Sequence, residues 1–226
     1  MKRAAAGGLV VFSAVLYAGL AIVAHAHRYL GLDLSLTVAL QHLRSGPLDA
    51  ALVAISWPGY FPEFVPEFAA ILLGFYLLHL RIEAVILAGT ELGVAVQGFI
   101  LKPIVGRPRP SSSLVWVKDH LTQDPYGFTA GHVHTFMVIF GFIAYLAWRR
   151  MPRQGWQRPA VIVGSIAFML VMGISRVYLG DHWTTDVVGG YLAGGTWLGV
   201  AIIAYQVLVD RGVIHEAAAG GKRRHP

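Results

Sequence analysis

The sequence predicts an all-α, polytopic membrane protein whose helices form one bundle. Of its 226 residues, 56% are hydrophobic and only 13% are charged, and the mean hydropathy is +0.59. An average soluble domain has about 25% charged residues. The long uncharged stretches exclude intrinsic disorder, and the absence of a Gly-X-Y or heptad period excludes fibrous classes. We expect one domain over residues 1–226, with no room for a separate soluble catalytic domain.

Six segments are predicted to cross the membrane. The first, residues 4–24, has 21 residues without a charge, which is enough to span the hydrocarbon core and longer than the apolar region of a secretory signal. We therefore expect it to remain as an anchor. Residues 28–49 are amphipathic and are predicted to form an interfacial helix between spans one and two. The other predicted spans cover residues 65–80, 84–101, 133–148, 159–175 and 187–209.

The segment 48–80 has the least regular pattern. Pro58, Pro62 and Pro66 interrupt its apolar residues, and proline removes a backbone donor and disfavours a continuous helix. We expect a re-entrant or short helix before the second span.

The distribution of positive charge predicts the orientation. The connection between spans four and five holds Arg149, Arg150, Arg153 and Arg158, and such loops face the cytoplasm. Six spans then place both termini in the cytoplasm, including a basic tail at about residues 211–226. We interpret the net charge of +6 as a signal of inner-membrane topology. Nucleic-acid binding would require a continuous basic face.

Four basic residues on the opposite, extracytoplasmic side do not follow this rule. They are Lys102, Arg107, Arg109 and Arg176, at the ends of spans three and five. Interfacial snorkelling explains each one alone, but not their grouping near His132 and His182. Arginine pairs with two phosphate oxygens at once and lysine adds a point charge. The group therefore predicts a phosphate site.

Three segments contain this group. Residues 102–110 hold prolines and a glycine that are expected to take the backbone out of a helix and along a cavity. Residues 127–132 are mostly small and lead to the start of span four, where free N–H groups and the positive helix end favour an anion. Within residues 175–186, His182 and Asp186 share a helix face if span six begins near His182, so that Asp186 orients the imidazole.

In these segments the chain resembles the type-2 phosphatidic acid phosphatase superfamily, which is related to vanadium haloperoxidases and bacterial acid phosphatases. The family signatures are Lys-x6-Arg-Pro, Pro-Ser-Gly-His and Ser-Arg-x5-His-x3-Asp. The first matches at Lys102, Arg109 and Pro110, and the third at Ser175, Arg176, His182 and Asp186. The second matches only at Gly131 and His132, because Thr129 and Ala130 replace the family's proline and serine.

The resemblance implies a lipid phosphatase that acts through a phosphohistidine. By it, His182 attacks phosphorus, Asp186 orients His182, and His132 protonates the leaving oxygen and then activates water. The implied phosphate-binding residues are Lys102, Arg109, Arg176 and Gly131, with Thr129 as a candidate replacement for the family's serine hydroxyl. No metal or other cofactor is implied. Undecaprenyl diphosphate is the first choice of substrate, with phosphatidylglycerol phosphate or phosphatidic acid as the alternative.

Three other functions use part of the same sequence. A metal-dependent hydrolase would use the histidines and aspartates, but the neighbouring cations would repel a metal and no His-Glu-x-x-His motif occurs. A transporter or proton relay would use Glu91, but no inverted repeat supports it, and Glu91 is equally well explained as a partnered structural group. A lipid phosphotransferase would use the same phosphohistidine and stays open. Oligomeric state is not predicted.

Overall fold

The computed structural model describes residues 3–118 and 124–215, and within them it contains eight α-helices and no β-strand. In chain order they are α1 (Arg3–Ala26), α2 (Gly31–Gln41), α3 (Gly46–Ser56), α4 (Phe64–Leu77), α5 (Arg81–Val105), α6 (Gly131–Arg150), α7 (Gln157–Tyr178) and α8 (Thr184–Asp210). The all-α prediction is confirmed. Most of the predicted basic tail, residues 216–226, lies outside the described residues, as does Lys2.

Five of the described helices are long and apolar enough to cross a membrane: α1, α5, α6, α7 and α8. The pair α3 and α4 passes the same test only together, and their axes are bent by 70° across a short break. Helix α4 has 14 residues, about 21 Å, which is shorter than the hydrocarbon core of about 30 Å. The described residues therefore hold five candidate spans, or six if the bent pair is one span.

The predicted interfacial helix over residues 28–49 is wrong as a single helix. Helix α2 ends at Gln41 and α3 begins at Gly46, after Ser45 in an extended conformation with φ −152°. Pro47 stands in the first turn of α3, where its missing N–H is tolerated. In the interior of one continuous helix it would lose a hydrogen bond and clash with the carbonyl four residues earlier. The amphipathic pattern therefore continues through a point at which the backbone turns.

Helix α6 lies at the centre of the bundle. Its side chains Phe136, Ile139 and Phe142 have no exposed surface and belong to the main apolar core, with residues of α5, α7 and α8. Glycines allow α8 to approach closely, since a Cβ on Gly194 would stand 2.8 Å from the backbone oxygen of His134 in α6. This packing brings the first turns of α6 and α8 together, and these turns carry two of the sequence motifs.

Candidate active site

A cavity of about 640 Å³ opens where α5 ends and α6 begins. Of the residues predicted from sequence to form the site, six line it: Lys102, Arg109, Thr129, Gly131, His132 and His182. The other two, Arg176 and Asp186, have no exposed surface. The cavity therefore collects residues from all three motif segments.

Helix α5 carries Lys102 to the cavity and does not end where the sequence predicted. The helix continues through Pro103 to Val105 and ends at Gly106, which has the left-handed φ of 64°. Pro103 removes one helical hydrogen bond, the one that its missing N–H would donate to the carbonyl oxygen of Phe99. Gly106 adopts positive φ without steric strain. The non-helical backbone thus begins at residue 106, and Arg109 follows it in the loop.

The first turn of α6 forms another wall. Gly131 is its first residue, and both Gly131 and His132 line the cavity. The leading N–H groups of a helix have no partner within the helix and form its positive end, so this wall is suited to an anion. The N–H of Ala130 donates to the backbone oxygen of Asp186 at 3.2 Å, which joins α6 to α8. The hydroxyls of Thr129 and Tyr17 lie 2.9 Å apart in one hydrogen bond.

Two contacts orient His182. Its Nδ1 lies 2.8 Å from the carbonyl oxygen of Gly127, and because a carbonyl only accepts, Nδ1 is the donor. Nε2 is then unprotonated, and its lone pair accepts a hydrogen bond from Nη1 of Arg109 at 3.2 Å, because a guanidinium only donates. Burial and the positive charges of Arg109, Lys102 and Arg176 hold the pKa of His182 well below its ordinary value of 6.5. At neutral pH, His182 is therefore neutral, with an unprotonated Nε2 that accepts from Arg109.

Asp186 does not make the direct contact that the sequence predicted. Its Oδ2 lies 3.9 Å from Nδ1 of His182, beyond hydrogen-bond distance. Helix α8 begins at Thr184, so His182 precedes the helix and the two residues do not share a helical turn. Asp186 instead accepts the N–H of Trp183 at 2.9 Å, which caps α8. Its charge still lies beside the imidazole.

The cations that line the cavity are held by acceptors within the protein. Lys102 forms an ion pair with Asp124. Arg109 donates to the backbone oxygens of Asp124 and Asp181, at 2.8 and 2.9 Å. Burial alone would raise the pKa of Asp124, but the hydrogen bond and charge of Lys102, the N–H of Tyr126 and the charge of Arg109 together lower it. Asp124 is therefore a carboxylate, and an incoming phosphate would compete with it for Lys102.

Arg176 lies in a separate buried group. It forms an ion pair with Asp181 and donates to the hydroxyl of Tyr60 at 2.9 Å. Tyr60 belongs to the break between α3 and α4, outside the three motifs. Neither composition nor spacing marks this tyrosine in the sequence.

Arg107, grouped with the phosphate-binding cations by sequence, does not line the cavity. Its guanidinium lies 2.6 Å from Oδ1 of Asp186 and 2.7 Å from Oδ2 of Asp33, and all three side chains are at most 1% exposed. Sequence reasoning missed Asp33, although an acidic residue within apolar α2 was a usable signal. Arg107 thus connects α2 to α8 at the base of the site.

His134, two residues after His132, also lines the cavity. The Nε2 atoms of both histidines have no hydrogen-bond partner among the described residues. Within that same part of the chain, no three His, Cys, Asp or Glu side chains converge in a way that could hold a metal ion. The charged groups at the cavity are mainly cationic and suit an anionic ligand.

Similarity to known proteins agrees with this geometry. The chain is similar to phosphatidylglycerophosphatase B of Bacillus subtilis (strain 168), with 30% identity over 95 residues, which are 42% of this chain and 44% of the relative. It is also similar to the putative undecaprenyl-diphosphatase YbjG of Escherichia coli (strain K12), with 43% identity over 58 residues, a quarter of each chain. The matched region thus spans less than half the length of either curated relative.

A solved structure has the same fold. It is the crystal structure of the first transmembrane PAP2 type phosphatidylglycerolphosphate phosphatase from Bacillus subtilis, with a TM-score of 0.76 and 21% identity, over 88% of this chain and 96% of that one. The sequence model of the PAP2 superfamily matches residues 69–210, more than half of the chain. Together with the five long apolar helices, these matches show that the chain is an integral membrane protein and belongs to the PAP2 superfamily, the type-2 phosphatidic acid phosphatases that its motifs resemble.

Proposed function

We propose that this protein is a lipid phosphatase that hydrolyses a phosphomonoester or diphosphate of a lipid through a phosphohistidine on His182. The observation that carries the proposal is the state of His182: Nδ1 donates to Gly127, so Nε2 is unprotonated and accepts from Nη1 of Arg109. A phosphate oxygen that takes over this Arg109 donor releases the Nε2 lone pair for attack. Phosphoryl transfer chiefly needs positioning and neutralisation of oxygen charge. The cavity supplies both, through Lys102, Arg109 and the first turn of α6.

The proposed reaction has two steps. In the first, Nε2 of His182 bonds to phosphorus, the bond to the leaving oxygen breaks, and His132 gives that oxygen a proton. The phosphorylated imidazole is cationic, and the nearby Asp186 carboxylate stabilises its charge. In the second, His132 takes a proton from water, the oxygen bonds to phosphorus, and the P–N bond breaks to release phosphate. Lys102 and Arg109 hold the phosphoryl oxygens throughout, with Arg176 and the Thr129 hydroxyl as further ligands.

We propose an isoprenyl diphosphate, such as undecaprenyl diphosphate, as the first substrate to test. The name of the E. coli relative supports it, and the names of the B. subtilis relatives support phosphatidylglycerol phosphate as the alternative. Part of the cavity is apolar and suits a lipid chain. Its apolar lining includes Phe61, Phe64, Val94, Phe99 and Leu101.

A panel of lipid phosphates tests this function. Purified protein in detergent is given undecaprenyl diphosphate, phosphatidylglycerol phosphate or phosphatidic acid, and released phosphate is measured with and without a chelator. We expect release that is insensitive to chelation, because the proposed steps use only side chains of this chain. Transfer of labelled phosphate to an added lipid alcohol, without free phosphate, would favour the phosphotransferase. No release from any lipid would contradict the proposal.

The lowered pKa of His182 predicts where kcat/KM falls at acid pH. This fall should lie below pH 6.5, the ordinary pKa of histidine. Protonated Nε2 cannot attack, so kcat/KM rises with pH through the pKa of His182 in the free enzyme. Arg109→Gln removes a positive charge that lowers this pKa, so its acid limb should move to higher pH. The variant and the unaltered protein are compared on the same substrate, so that the ionisation of the substrate affects both pH profiles equally. A limb that stays in place or moves to lower pH would contradict the assignment.

We also propose the topology. The chain is one domain with six spans, in which α3 and α4 form one bent span and α2 lies at the interface. Both termini are cytoplasmic, and the cavity opens on the extracytoplasmic side. The clustered arginines between α6 and α7 support it. The chain has no cysteine, and Ser112 and Gln154 are both exposed. Ser112→Cys should therefore react with a membrane-impermeant thiol reagent in intact cells, and Gln154→Cys only after lysis. Labelling of both in intact cells would refute this topology.

A further inference from the structure

The break between α3 and α4 reaches the active-site cavity. Residues Trp57–Gly59 form a short 3-10 turn, and Gly59 lines the cavity. A Cβ on Gly59 would stand 2.1 Å from Cδ2 of His132 and 2.7 Å from its Nε2. The turn therefore lies directly against the imidazole, and only a residue without a side chain leaves room for it.

Tyr60 follows this turn and connects three parts of the site. Its ring packs edge-to-face against His132, with centroids 4.7 Å apart and planes at 76°. Its hydroxyl accepts from Nη2 of Arg176 at 2.9 Å and donates to Oδ2 of Asp181 at 3.1 Å. The side chain is only 6% exposed, so one buried residue touches both a candidate acid and a candidate phosphate-binding arginine.

Packing against Gly59 and Tyr60 supports the orientation of His132. Its Nε2 is buried and has no hydrogen-bond partner among the described residues, so no bond at that nitrogen fixes the ring. The turn itself is anchored, because Ser56 and Ser175 are fully buried and their hydroxyls are 2.8 Å apart. This bond ties the end of α3 to α7, one residue before Arg176.

We propose that Gly59 and Tyr60 are positioning residues: together they hold the imidazole of His132 at the angle from which it protonates the leaving oxygen, and the Tyr60 hydroxyl separately fixes the Arg176–Asp181 pair. This inference rests on the proposed function. It makes the proline-interrupted segment between α3 and α4 part of the active site, although no motif of the family includes it.

The experiment compares two leaving groups. Octyl phosphate has an alkoxide leaving group that needs a proton, whereas 4-nitrophenyl phosphate releases a stable phenolate that does not. The parameter kcat/KM covers the steps up to departure of the leaving group, and general acid catalysis is worth about 10²–10⁴-fold. Misplacement of His132 should therefore lower kcat/KM for octyl phosphate far more than for 4-nitrophenyl phosphate. A general loss of structure should lower both by the same factor.

Four variants separate the two roles. Tyr60→Ala and Gly59→Ala should lower kcat/KM for octyl phosphate at least tenfold more than for 4-nitrophenyl phosphate. Tyr60→Phe keeps the ring against His132 and loses only the hydroxyl, so it should lower both values by one factor, mainly through KM. Trp57→Ala changes a side chain in the same turn that is 49% exposed, and should change neither value.

Equal losses on the two substrates in Tyr60→Ala would overturn this inference, and that variant decides the matter if Gly59→Ala does not fold. Discrimination between the substrates in Tyr60→Phe as large as in Tyr60→Ala would also overturn it, because the ring would then not be the part that positions His132. Failure of the unaltered protein to release phosphate from any substrate would instead refute the proposed function, and this inference with it.

Discussion

Replacement of His182 by alanine is expected to abolish both turnover and the phosphorylated form of the protein. The Nδ1 of His182 donates to the carbonyl oxygen of Gly127, which leaves Nε2 unprotonated at the cavity beside its donor Arg109. The other histidine assigned to the reaction, His132, is placed to move protons at the leaving oxygen. Removal of His182 therefore removes the group to which the proposed mechanism assigns the bond to phosphorus.

Labelled substrate, a quench without acid and peptide mapping test this expectation, because phosphohistidine is lost in acid. His42→Ala is the matched control, since His42 is an exposed histidine in the turn after α2. His132→Ala should still form phosphoenzyme from a good leaving group, but should hydrolyse it slowly. Full activity in His182→Ala would overturn the mechanism. So would activity that chelation removes and zinc or magnesium restores, which would favour a metal-dependent hydrolase.

The membrane helices could be predicted because a helix satisfies every backbone hydrogen bond of an apolar run of about 20 residues within lipid, where an irregular segment would leave them unpaired. Helices α1, α5, α6, α7 and α8 are all of this kind. The region from α2 to α4 could not be predicted as well. There the amphipathic pattern continues across the turn before Pro47, and α4 is too short to cross alone. Here α2 and α3 pack against α7, α2 also packs against α8, and α4 packs against α5. A local sequence pattern does not contain these contacts.

The site residues could be predicted to the extent that chemistry depends on side-chain type. Lys102, Arg109, His132 and His182 are recognisable by charge, imidazole and spacing, and the structure brings them to one cavity. The carbonyl of Gly127, which holds His182, carries no residue-type signal at all. For Asp186 the spacing was misleading. It suggested a direct contact with His182, but α8 begins at Thr184, after His182, and the contact is not made.

Charge alone also cannot separate a residue that binds a ligand from one that holds the fold. Arg107 and Arg109 stand two residues apart in the sequence and have the same side chain. Arg109 lines the cavity, whereas Arg107 is 2% exposed and is enclosed by two carboxylates and the carbonyl oxygen of His27. The difference arises from α2, which brings Asp33 to one of the two arginines only.

This enclosure predicts that Arg107→Leu severely destabilises the protein. The substitution would leave Asp33 and Asp186, both without exposed surface, as neighbouring buried carboxylates with no cation between them. Removal of one partner of a buried ion pair costs about 3–5 kcal/mol, because the remaining charge is desolvated and uncompensated. We expect the free energy of unfolding in detergent micelles to fall by about that amount. Activity should fall too, since Asp186 caps the helix that follows His182.

Arg3→Leu is the matched control, because it breaks an ion pair with Asp210 whose side chains are 46% and 63% exposed. Exposed pairs contribute about 0–1 kcal/mol, so this variant should unfold almost as the unaltered protein does. Adding Asp33→Asn to Arg107→Leu removes one of the two stranded charges and should recover part of the lost stability, which makes the two substitutions non-additive. If Arg107→Leu were no more destabilising than Arg3→Leu, the buried arginine would not hold α2 to α8, and the base of the site would depend on packing alone.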